Sequence, residues 1–129
     1  MEKRRNGFWL AAFAALSASA WACGEGTRLD SPRYVLAYKA EAIEVARHFA
    51  LDIAVCPKGN NPAPESLKVE AQMPEHRHGM NYRPEVKPVR DGQWRVEGML
   101  FHMPGTWRLI FYVRAGGATE RLTQDLTVE

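Results

Sequence analysis

Apolar and polar positions alternate along most of this chain with a period of two, and no stretch sustains the spacing of an amphipathic helix. The clearest case is Ser66–Met73, where Leu67, Val69, Ala71 and Met73 alternate with Lys68, Glu70 and Gln72. Successive strand side chains project to opposite faces, so this pattern predicts a strand with one face buried. The same reading predicts a strand over residues 33–40, with Tyr34, Leu36 and Tyr38 inward. A longer one is predicted over residues 43–55, where Ile43, Val45, Phe49, Leu51, Ile53 and Val55 share a parity that Arg47 alone interrupts. The proline- and glycine-rich residues 57–64 form a loop. Beyond Ser66–Met73, a short strand is predicted over Glu85–Arg90, with Pro88 placing it at a sheet edge. Residues 94–101 follow, with Trp94, Val96 and Leu100 on one face, and then the nearly continuous apolar run 107–113, a central strand. The last strand spans residues 119–128, with Leu122, Leu126 and Val128 aligned. Asp91-Gly92, Pro104-Gly105 and Gly116-Gly117 supply turns.

This pattern predicts an all-β fold, a seven-stranded antiparallel immunoglobulin-like β-sandwich. If every strand is antiparallel to its predecessor, successive connections alternate between the two ends of the sandwich. The connection through residues 74–84 and the turn at His102-Met103-Pro104-Gly105 then share one end, and Cys23 and Cys56 share the other.

Composition changes the picture at the N-terminus. Lys3, Arg4 and Arg5 precede an apolar run from Phe8 to Leu16 and a small-x-small site at Ala20-Trp21-Ala22, the layout of a cleaved signal peptide. The expected organisation is a signal peptide over residues 1–22, a lead-in over 23–32 and one β-sandwich domain over 33–129. The basic leader residues, set against Glu2, account for the formal charge of +2, so the exported remainder is near neutral. That gives no electrostatic reason to expect a nucleic-acid partner, and no membrane helix is retained after cleavage. The expected location is the bacterial periplasm or the exterior. Two readings of Cys23 compete: a disulfide with Cys56, the one other cysteine, or a lipid anchor at the first residue after cleavage.

The unusual chemistry lies in Met73-Pro74-Glu75-His76-Arg77-His78-Gly79-Met80 and in the pair His102-Met103. His76 and His78, two apart in extended backbone, project to one side, and Gly79 lets the chain bend Met80 toward them. Imidazole binds several divalent metals, whereas thioether sulfur favours Cu(I), so His with Met points to copper. The expected metal ligands are His76, His78 and Met80, with His102 and Met103 auxiliary. Met73 reads as core. His102 has inward parity and reads equally as a satisfied histidine beneath its turn. No nucleophilic triad, phosphate loop or zinc-protease helix is present, so the chain reads as non-catalytic.

The first of these motifs, together with Phe101-His102-Met103-Pro104-Gly105-Thr106-Trp107, resembles the pattern of YtkA-like domains, which are related in character to FixH-type proteins. The resemblance runs from about Tyr34 to the C-terminus. It implies a small exported β-sandwich linked with copper handling and, as partner, a copper-accepting or respiratory-assembly protein. The leading expectation is therefore an exported domain that binds copper for delivery. The alternative is a metal-free interaction module whose contacts are His76, Arg77, His78, Met80 and Tyr82, residue types common at interfaces.

Overall fold

The computed structural model describes residues 23–129; the expected signal peptide lies outside them. These residues form nine strands: β1 Thr27–Asp30, β2 Tyr34–Ala40, β3 His48–Pro57, β4 Ser66–Met73, β5 His78–Gly79, β6 Glu85–Arg90, β7 Gln93–Leu100, β8 Gly105–Ala115 and β9 Ala118–Val128. They pair antiparallel throughout, in two sheets of order β1-β2-β3-β7-β6 and β5-β4-β8-β9. The alternation in β4 buries Leu67, Val69, Ala71 and Met73 and leaves Lys68 and Gln72 in solvent. Tyr34, Leu36 and Tyr38 of β2 join them in one core with Leu109, Phe111 and Val113 of β8. The Tyr38 and Phe111 rings lie 5.3 Å apart.

The strand count is nine rather than seven. β1 falls in the expected lead-in. Its sequence Thr-Arg-Leu-Asp has no apolar alternation to signal it, because as an edge strand it stays largely exposed. β5 is only two residues long, below the reach of any periodic pattern. Conversely, residues 43–47 are not strand. Ala46 sits at φ 61°, and its N–H donates to the Phe101 carbonyl at 2.8 Å. The interruption of parity at Arg47 marks this turn.

A second departure matters more for the site. Phe49 stands opposite Met99, but Leu51 stands opposite Val96, so β7 carries one extra residue in this pairing. Gly98, at φ 80°, absorbs it. A bulge of this kind exchanges the two faces beyond it. Trp94 and Val96 point into the core before it, and Met99 and Phe101 do so after it. Leu100, expected on the face of Trp94, falls outside the central cluster. His102 accordingly loses inward parity and becomes half-buried at the rim.

Two ties close the opposite end. Cys23 and Cys56 are bonded, with their Cα atoms 5.7 Å apart. The Glu120 carboxylate of β9 accepts from Arg33 Nε at 2.9 Å and from the Ser31 hydroxyl, joining the two sheets. Among the described residues no helix is long and apolar enough to cross a membrane.

Candidate functional site: a histidine tier beside an open strand edge

At the end of β4 the chain reverses in a hydrogen-bonded turn. The Met73 carbonyl accepts the N–H of His76 at 3.2 Å and of Arg77 at 2.9 Å. Arg77 takes φ 53°, a left-handed conformation that few non-glycine residues adopt. β5 then pairs back on β4, with His78 opposite Met73 and Gly79 opposite Gln72. The Met80 N–H donates to the Ala71 carbonyl at 3.2 Å, after which the chain leaves the sheet. The turn is thus a short extension of the sheet, and its histidines are held by backbone pairing.

The second motif arrives from the other sheet. His102 follows β7, and the Met103 carbonyl accepts the indole N–H of Trp107 at 3.0 Å. Gly105, at φ 132°, lies so close to the core that a Cβ there would stand 2.6 Å from the terminal methyl of Met73. Trp107 is fully buried and stacks on Phe101 at 4.7 Å between centroids. The imidazoles rest against this aromatic base. His78 and His102 meet the indole edge-on at 6.0 and 5.3 Å. His78 in turn lies 5.2 Å from His102 and 5.8 Å from His76, whose ring stacks on it at 27°. The fourth histidine, His48, packs edge-on against Tyr82 at 5.5 Å.

The chain was also compared with family models, with characterised proteins and with solved structures. None of the three comparisons finds a match.

The geometry corrects the copper expectation. Among the described residues no group of three or more His, Cys, Asp or Glu side chains is arranged to hold a metal ion. The physical reason lies in how the rings meet. His78 stands between His76 and His102, and among the described residues these two outer rings do not meet each other, so the three imidazoles form a row rather than a group around one point. His78 Nδ1 faces its own Gly79 carbonyl at 3.2 Å. Met80 and Met103 pack against the hydrophobic core, so their thioethers serve as apolar filler. His78 and His102 rest on the Trp107 indole and His76 stacks on His78, but together with Met80 and Met103 they do not form a copper shell. Nothing in this arrangement identifies a copper-accepting or respiratory-assembly protein as the partner.

What the arrangement offers instead is a patterned surface. His76, Arg77 and Tyr82 are exposed, with Tyr82 open over 52% of its surface, while His78, Gly79 and Met80 are half-covered. Beside them runs a groove of about 580 Å³ between the outer edge of β4 and the chain from Gly79 to Val86. Sequence reading missed both the groove and the pairing of His48 with Tyr82. His48 lies on the polar parity of its strand, and nothing local signals what stands across from it.

Proposed function

We propose that this chain is a non-catalytic, metal-free interaction module whose contact surface is the His76–Tyr82 turn and the rim formed by His102 and Met103. The observation that carries this reading is Tyr82, a large aromatic ring left half in solvent beside a backbone-anchored turn. Amphipathic aromatic, Met and Arg side chains are the types over-represented at interface centres, and a surface fixed before binding loses little entropy on association. Kinship with YtkA-like domains, and an immunoglobulin-like arrangement of the sandwich, are part of the proposal. They are supported by the two motifs sharing one end of a two-sheet fold. An exported location is supported by the Cys23–Cys56 bond, since disulfides persist in oxidising compartments.

The test places a photo-crosslinking residue at Tyr82, with a second copy of the protein carrying it at Thr119, at the far end of the sandwich. A discrete adduct from position 82, absent from position 119 and lost when His76 and Arg77 are both changed to alanine, is the expected outcome. Equal labelling from both positions would show that the turn is ordinary surface.

A further inference from the structure

The open edge of β4 gives this surface a defined mode of recognition. β5 pairs only with Gln72 and Met73. Because Ala71 turns its carbonyl outward to Met80, strand alternation turns the N–H and C=O of Val69 and Leu67 outward as well. No backbone bond outside the strand ladders reaches Leu67 or Val69 among the described residues. The row therefore presents unpaired donors and acceptors into the groove, whose far wall is formed by Met80, Pro84 and Val86. A sheet edge left in this state is a template for another strand.

Building on the interaction-module reading, we propose that the groove takes an extended acidic peptide segment of a partner protein, added antiparallel to β4 in line with β5. The free row from Ser66 to Glu70 accommodates a strand of about five residues, because Met80 blocks the row from Ala71 onward. The incoming residues opposite Leu67 and Val69 share their inward face and are apolar. The residue between them stands opposite Lys68. Lys68 and Arg83 bring two positive charges to the groove against the single carboxylate of Glu70, which lies 3.7 Å from Lys68 Nζ and accepts from Tyr112 Oη at 2.7 Å, so the lining keeps one net positive charge. The charge complement is therefore Asp or Glu at the central position.

A second copy of this chain is a poor occupant. Two β4 edges that use the whole free row must set Lys68 against Lys68, a like-charge pair that destabilises the ladder.

The test is an NMR titration of the isotope-labelled protein with the capped pentapeptide Thr-Val-Glu-Val-Thr, beside Thr-Val-Lys-Val-Thr. The glutamate peptide is expected to shift the Leu67 and Val69 amides in a saturable manner and to bind about threefold more tightly than the lysine peptide. Lys68→Glu reverses that preference, and N-methylation of the two peptide valines abolishes the shifts. Amide shifts confined to residues 76–82 would overturn strand addition and leave the interaction surface standing. Failure of the shifts to appear, or indifference to the Lys68→Glu exchange, also overturns it. The crosslinking result at Tyr82 judges the broader reading separately.

Discussion

At the scale of single residues, the site is built from side chains and dihedrals that carry a cost. Arg77 holds a left-handed conformation worth roughly 1 kcal/mol of strain for a residue with a Cβ. Glycine removes that strain but enlarges the unfolded ensemble, so Arg77→Gly is expected to change stability by no more than about 1 kcal/mol. It will nevertheless weaken crosslinking at Tyr82, because the guanidinium is lost; denaturant titration beside crosslinking yield separates the two effects. Gly105 behaves differently. Its positive φ and its approach to buried Met73 leave no room for a methyl group, so Gly105→Ala is expected to cost about 1–3 kcal/mol, read from the shift in denaturation midpoint. Of these two constraints the sequence reveals only the second, through Pro104-Gly105. Nothing about an arginine between two histidines announces a left-handed turn.

At the scale of elements, the faces of β2 and β4 were legible because no register change interrupts them, so a period of two carries from end to end. β7 was not, because one added residue at Gly98 inverts the code halfway along. His102 illustrates the consequence: read by uninterrupted parity it belongs inside, and the bulge delivers it to the rim beside His78. Gly98→Val places a β-branched residue at φ 80° and is expected to cost about 2 kcal/mol or more. Deleting Gly98 would swing Phe101 outward and His102 inward, and the loss of native near-UV signal on circular dichroism would report it. The copper expectation failed at this same scale. Residue type and spacing brought imidazoles into contact, but spacing says nothing about whether three rings gather around one point or stand in a row.

At the scale of the whole molecule, the two ends of the sandwich do different work. The end with the disulfide and the Glu120 clasp fastens the sheets, and the other carries the histidine tier, from which the groove runs back along β4 as far as Leu67. The bond between Cys23 and Cys56 closes a 33-residue separation, and its removal by Cys→Ser at both positions is expected to cost about 2–4 kcal/mol in chemical denaturation. Partial burial pushes the Glu120 carboxyl up, but the Ser31 and Arg33 hydrogen bonds outweigh it and hold it below the ordinary glutamate range. Its contribution to stability is thus present above the unfolded glutamate value and is lost as pH falls through the depressed one. Glu120→Gln is expected to lower stability at neutral pH and to flatten the acid limb of the stability–pH curve. One feature of the opposite end gives the molecule an optical voice. Trp94 and Trp107 are the two tryptophans among the described residues, and only Trp107 touches imidazole rings. An imidazole packed at an indole edge alters its emission. The fluorescence of Trp107 therefore follows the posture of His78 and His102, and a partner that shifts either ring reports its own arrival without any label.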